Sequence, residues 1–470
     1  MPSHIHAHPV TVIGNLWRVR YFIVIPVIRG FVSALGGGGL AGWVAGAWLD
    51  ILILLLMVGI AVLRWRSTRL WWDDKLLHIR SGLILRTHTV LPWKRIVTLG
   101  RADTYYLRPF GAIRLRVDTL GGRARTPDFT ILLSRENAAA LGRCQMGAPS
   151  RKTAFSPSTI SILAQSLLSS NSIAGIVFAA TFVSQSGRLL GDALTGEIVG
   201  VFEQAARTLA LGIPPAAAAL ALLLLVGWAV SFLRTFCSYK DMQASVCDGR
   251  LRIKRGLISK REVSINCDEV GYLSLRQSLL MRSLGLCALY ISAVGCAGRS
   301  AACLVPAAGS AACVSALRRF FPHLAPAPAS VTPGGKGALR FIMAAVWPLV
   351  CIPLVCAALL WAVPDWRAFI LFTGGMAMAP ALYFFALRVT DFRTSGAGKK
   401  GDVYTLRYSK GFSLHTVVAQ RAKIVQIQLR QSWFQRRTGR CDVIIHTKSQ
   451  GRSLHLLRGL PLQKTRKLFT

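Results

Sequence analysis

The chain has 470 residues, of which 53% are hydrophobic and 16% charged, and its net charge is +38. Ordinary soluble domains carry about 25% charged residues, so a chain this apolar and this basic reads as a membrane protein with basic faces. Its 11 cysteines form no CxxC pair and no Cys/His ligand spacing, which points to reduced thiols rather than a disulfide framework.

In chain order, His4, His6 and His8 alternate near the start and read as an irregular tail rather than a metal site. The first apolar run lacks a small-residue cleavage site and is followed at once by a second, so no cleavable signal peptide is expected. A segment of about 20 apolar residues crosses a bilayer. Six candidates have that length: Val19–Leu35, Ala41–Leu63, Leu163–Val183, Leu209–Leu233, Leu339–Val363 and Arg367–Leu387. They pair as three hairpins. In the first, Arg29 and Asp50 stand at similar depth on either side of the turn. They are expected to form an intramembrane ion pair that pins the hairpin, with an ion or proton path as the alternative.

Between and after the hairpins lie three basic segments, residues 64–160, 234–340 and 388–470, with net charges of +12, +10 and +15. Basic loops stay on the cytoplasmic side, and an even number of spans separates these segments, so all three are expected there.

The three segments repeat one pattern. It runs Gly82, Ile96, Gly111, then Gly256, Val270, Gly285, then Gly411, Ile424, Gly439. An Arg stands three residues before the second glycine each time: Arg108, Arg282 and Arg436. The second and third copies share Arg276-Gln277-Ser278 and Arg430-Gln431-Ser432, where the first has Ala102-Asp103-Thr104. The third copy has one residue fewer between its first glycine and Ile424. Alternating stretches such as Ile113-Arg114-Leu115-Arg116-Val117 read as half-buried strands, with the first glycine of each copy in a turn. Each copy ends in a helix, starting near Ser134, Ser310 and Pro461. The module is therefore several antiparallel strands followed by one helix.

The strings Leu-His-Ile-Arg-Ser-Gly-Leu-Ile (77–84), Leu-Arg-Ile-Lys-Arg-Gly-Leu-Ile (251–258) and Arg-Gln-Ser-Leu-Leu-Met-Arg-Ser-Leu-Gly (276–285) resemble the bacterial pleckstrin-homology (PH) domain, type 2. The alternation of hairpins with three such domains is similar to the YdbS/YdbT-like membrane proteins. The resemblance implies a multi-pass membrane protein in which α-helical transmembrane hairpins alternate with three small α+β PH-like barrels. The hairpins would occupy residues 1–66, 159–235 and 339–388. The PH-like domains would occupy 67–158, 236–322 and 389–470, with a Pro/Ala/Gly linker at 323–338. It also implies residence in the bacterial inner membrane and a smaller membrane partner with a single PH domain.

Chemistry is sparse. There is no phosphate loop, no His-Glu-x-x-His and no nucleophile elbow, so no enzyme, catalytic residue, metal or cofactor is expected. Arg108, Arg282 and Arg436 have two readings: contact with lipid phosphate or an acidic partner, or a loop brace bonded to backbone. Arg430, Arg437 and Arg440 crowd the third copy and make it the expected contact surface with anionic lipid. The leading expectation is a non-enzymatic membrane scaffold, in envelope maintenance or resistance to membrane-active agents as the resemblance implies. The alternative is a subunit of a transporter or lipid flippase. Nucleic acid is disfavoured, because aromatic residues are not interleaved with the basic runs.

Overall fold

A computed structural model describes residues 5–18, 47–73, 75–83, 85–119, 128–145, 154–169, 215–293, 302–449 and 453–469. The chain opens with β1 (Ile5–His6), α1 (Thr11–Arg18) and α2 (Ala47–Ser67). Unit one follows: β2 (Arg69–Trp72), β3 (Leu76–Ser81), β4 (Thr87–Pro92), β5 (Ile96–Asp103), β6 (Ala112–Thr119), β7 (Phe129–Ser134) and α3 (Arg135–Gln145). Next come α4 (Thr159–Ser169) and α5 (Pro215–Tyr239). Unit two contains β8 (Gln243–Cys247), β9 (Arg250–Arg255), β10 (Lys260–Asn266), β11 (Val270–Gln277), α6 (Leu279–Ser283), β12 (Leu286–Ala293), β13 (Ala302–Gly309) and α7 (Ser310–Phe320). Then α8 (Ala338–Ala362) and α9 (Arg367–Thr394) lead to unit three. It contains β14 (Gly396–Lys400), β15 (Val403–Lys410), β16 (Ser413–Gln420), β17 (Ile424–Arg430), α10 (Trp433–Arg437), β18 (Arg440–Thr447), β19 (Ser453–Pro461) and α11 (Leu462–Phe469).

The three units share one order: a three-stranded meander, a short 3-10 turn, a fourth strand, a tight turn, two more strands and a helix. The sequence repeat is thus a structural repeat. In β6 the alternation puts Ile113, Leu115 and Val117 in the core of unit one. A lead-in residue also meets the first strand of each unit: Ile5 opposite Leu70, Phe155 opposite Ala244, and Val331 opposite Ala397. The N-terminal residues, expected as an irregular tail, therefore include a strand, and Trp65 Nε1 donates to the Ala7 carbonyl at 2.6 Å to hold it.

The sheets do not respect the unit boundaries. One six-stranded sheet runs β7-β6-β5-β10-β9-β8, joining the later half of unit one to the meander of unit two. A second runs β13-β12-β11-β16-β15-β14 and joins units two and three in the same way. The remaining sheets are β1-β2-β3-β4 and β17-β18-β19. Each joint is a fourth strand paired antiparallel with the third strand of the next unit. Apolar packing follows the pairing, since the core of unit two also takes in Val97 of unit one and Val403 and Val418 of unit three.

The expected fold class, a multi-pass membrane protein of transmembrane hairpins, is corrected by this arrangement. The described chain is dominated by four antiparallel sheets, and open sheet edges belong outside hydrocarbon. Among the described residues one helical stretch, Phe341–Ala362 in α8, is long and apolar enough to cross a membrane. The other expected spans do not reach that length and apolarity among the described residues. α2 carries Asp50 in its first turn and Arg64 and Arg66 in its last. α4 is docked on unit two, where buried Gln165 donates to Tyr290 Oη at 3.1 Å and accepts from the Ala307 amide at 3.0 Å. The last turns of α9 belong to unit three: Arg388 donates to Ser409 Oγ at 2.7 Å, and Ser409 donates to Asp391 Oδ2 at 2.6 Å. Burial raises the pKa of the Asp391 carboxyl above its ordinary value. The span expected at 19–35, and residues 41–46, 170–183 and 209–214 of three others, lie outside the described residues.

Candidate membrane-contact surface

The tight turn after each fourth strand is built by the repeated residues. In units two and three the Ser of Arg-Gln-Ser caps a one-turn helix, with Ser278 Oγ accepting from the Met281 amide and Ser432 Oγ from the Gln435 amide. The Gln before it crosses to the next strand: Gln277 donates to the Leu286 carbonyl at 2.9 Å and Gln431 to the Arg440 carbonyl at 2.6 Å. Unit one has neither residue and no helix at this turn. There Asp103 takes over and pairs with Arg108 at 3.4 Å and Arg135 at 3.5 Å.

The repeated Arg and Gly share a backbone role. The carbonyls of Arg108, Arg282 and Arg436 accept from the amides of Gly111, Gly285 and Gly439. The carbonyls of those glycines then accept from Arg135, Ser310 and Leu462, at or next to the start of each closing helix. This geometry uses the main chain of the arginines, so the side chains of Arg282 and Arg436 remain exposed.

Around these turns, large apolar side chains stand in the open. Unit one presents Tyr105 and Phe110, and unit two Leu280 and Leu284. Unit three presents Trp433 and Phe434, 59% and 74% exposed on a helix of only five residues. The meander turns add Leu85, Ile258 and Phe412. Two helices gather these tips together. Tyr383 of α9 accepts from the Leu279 amide at 3.1 Å and donates to the Phe412 carbonyl at 3.2 Å, tying the turn of unit two to the meander of unit three. At the equivalent place one joint earlier, a cleft of about 750 Å³ is lined by Thr104 and Tyr105 of unit one, Ser231 and Arg234 of α5, and Ile258 of unit two. Exposed apolar groups edged by basic ones mark an interaction surface, and Trp and Tyr beside arginine suit the lipid headgroup level.

A second, more basic cleft of about 690 Å³ lies beside the first joint. Its lining holds Arg101, Arg108, Arg135, Lys254, Arg255, Lys260 and Arg261 against Asp103, Asp241 and Glu262. Asp103 and Glu262 are engaged by arginines, Glu262 with both Arg101 and Arg252. Burial, then the charges of Arg255, Arg116 and Arg234, lowers the pKa of Arg261. Positive charge is therefore crowded here beyond what the local carboxylates balance, which favours an anion.

Of the residues singled out from sequence, Arg430, Arg436 and Arg437 lie exposed on the end of unit three, with the Arg437 guanidinium 4.0 Å from the Trp433 ring centroid. Arg440 is separate from them. It donates to the carbonyls of Pro333 and Gly459, and so ties the linker to β19. Arg108 is half-buried in its ion pair, and Arg282 is exposed. Asp50 lies half-buried in the first turn of α2, while Arg29 lies outside the described residues, and the expected pair with it. Sequence reasoning missed the basic cleft. Its signal was present in Arg250-Leu251-Arg252-Ile253-Lys254-Arg255 followed by Lys260-Arg261, a strand and its neighbour with like charge on adjoining positions.

A family model described as Bacterial PH domain matches residues 22–145 and 198–325, together more than half of the chain. No curated protein and no solved structure matches it.

Proposed function

The chain belongs to the Bacterial PH domain family, and from that membership, which points to a membrane-associated role, we propose that it is a non-enzymatic scaffold on an anionic membrane surface. Unit three, with the same element order as the two matched stretches, is read as a third copy of the domain. The proposed location is the bacterial cell membrane, with the basic units on the cytoplasmic leaflet. The proposed partner is a smaller single-domain relative, and the proposed role is envelope maintenance or resistance to membrane-active agents.

One observation carries this reading: exposed Trp433 and Phe434 beside exposed Arg430, Arg436 and Arg437, on a turn that the other two units repeat with their own apolar tips. Apolar insertion and attraction to anionic headgroups act together in such a surface. The test uses the full chain in lipid nanodiscs, with an environment-sensitive fluorophore on Phe434→Cys. Emission is expected to shift to the blue on discs containing anionic lipid but not on zwitterionic discs. The shift should reverse in high salt, as the screening length falls from about 10 Å at 0.1 M to about 3 Å at 1 M. Identical emission on both lipids at low salt would remove the anionic-membrane reading.

A further inference from the structure

The third-strand and fourth-strand positions that build the two joints are also, among the described residues, the positions of two sheet edges. The first joint pairs β5 with β10, and the second pairs β11 with β16. In each, the fourth strand of one unit meets the third strand of the next. The third strand of unit one, β4, ends its sheet. The fourth strand of unit three, β17, ends its sheet. Neither has a partner strand on its outer edge among the described residues.

The joints share one register. Leu99, third after Ile96, faces Ser264, sixth before Val270. Leu273, third after Val270, faces Val418, sixth before Ile424. The same rule applied to the bare edges sets Ile427 opposite Val90 and Gln428 opposite Thr89. Burial supports the comparison. Val97, Leu99, Ile265 and Val418 are buried at the joints, whereas Val90 is 42% exposed and Val425 71%. β4 carries no charged residue, and β17 carries only Arg430, at its end. Natural edges are usually guarded by charge, proline or a covering segment. Pro92 ends β4, one position beyond the stretch that the repeated register would pair.

We propose that β17 of one copy docks on β4 of a second copy of this chain, in the register of the internal joints, and extends the row head to tail. Both complementary edges belong to this chain, and the contact continues an interface that it already makes twice. Such a contact is heterologous, so it leaves a free edge at each end and propagates until a ring closes. The inference rests on strand pairing and stands apart from the membrane reading.

The test mixes two full-length variants, Thr89→Cys and Gln428→Cys, with a short bismaleimide, using the unsubstituted chain for background. The described native cysteines are buried or half-buried. A cross-linked dimer is expected in the mixture and not in either variant alone. The Lys pair Val425→Lys/Leu429→Lys is expected to abolish it at unchanged circular dichroism, because both positions are exposed in the isolated chain. Cross-linking within a single variant would show β4–β4 or β17–β17 pairing and overturn the proposal. A wild-type chain that stays monomeric by mass photometry at every concentration would overturn it too. So would association only with an added single-domain PH protein.

Discussion

Arg250 reaches across the first joint to the carbonyl oxygen of Trp93 at 3.0 Å, and the same nitrogen lies 3.3 Å from the carbonyl of Ile96. It sits at the start of β9, so a side chain of unit two closes the 3-10 turn of unit one. Burial lowers the pKa of the guanidinium, and these two carbonyls accept its hydrogen bonds there. Arg250→Met should destabilise the joint by about 1.5–3 kcal/mol, the usual range for a charged hydrogen bond. Hydrogen exchange should accelerate in β5 and β10 and stay unchanged in β18 and β19. Uniform acceleration would show that the contact acts on the whole chain and not on the joint.

The second joint should be sensitive to acid. His455 shares hydrogen bonds with Tyr408 Oη at 2.6 Å and Thr447 Oγ1 at 3.0 Å, and Tyr272 of unit two packs edge-on against its ring. His415 lies 3.3 Å from Ser274 Oγ across the joint and stacks on Tyr408. Burial pushes both imidazoles down to about 3, helped by Arg276 and Lys410 at His415 and by Lys410 and His446 at His455. The folded rings stay neutral while the unfolded ones take up protons below about 6.5. Stability is therefore complete above pH 6.5 and falls as the pH drops toward 3. Denaturant midpoints between pH 6.5 and 5 should decline, against the opposing pull of Asp118, whose pKa burial raises to about 6, and His455→Gln should flatten the slope. A level profile in the parent chain would refute this.

The two kinds of repeated glycine should differ in tolerance. Gly256 has φ of +105°, and a Cβ there would collide with the Ser259 carbonyl. Gly285 has φ of +67° with open space around it. Gly285→Ala should cost about 1–2 kcal/mol, the penalty of the left-handed region, and Gly285→Asn less. Gly256→Ala should cost more than either, because the backbone must also move. Equal thermal shifts for the two alanine variants would contradict the geometry.

Arg440 and its neighbours should separate stability from binding. Arg440→Met removes the tie between the linker and β19 and should lower the melting temperature without changing the fluorophore response on anionic discs. Arg436→Gln with Arg437→Gln should weaken that response and leave the melting temperature nearly unchanged, since both side chains are exposed. The reverse pattern would move the contact surface to the linker side of unit three.

The repeat was legible because it lies in local chemistry. The six glycines of the pattern all have positive φ, and the shared Gln-Ser pair has one structural job in both copies that contain it. Joint pairing was not legible. A third strand such as β10 has the same alternation whether its outer edge meets solvent or another unit, and its partner residues are distant in sequence. Trp65 and Trp72 stand beside an apolar run, yet both pack against the core of unit one. Apolar length misled at α4, where Gln165 and Ser166 sit in protein rather than lipid. The contact surface was half visible: the arginines stood out by spacing, while the neighbouring Trp433 and Phe434 gave no sign in sequence that they stay uncovered.

The order of strands also has a consequence during synthesis. β5 leaves the ribosome with its outer edge unpaired and must wait for α4, α5 and the first strands of unit two before β10 arrives. At roughly 5–20 residues per second that wait is on the order of ten seconds, and β11 then waits again for β16. During each interval a nascent chain offers an edge that a neighbouring ribosome's product, already past its own third strand, is built to fit. Translation on a shared message thus places the risk of domain-swapped entanglement at the joints and gives chaperones a defined edge to shield.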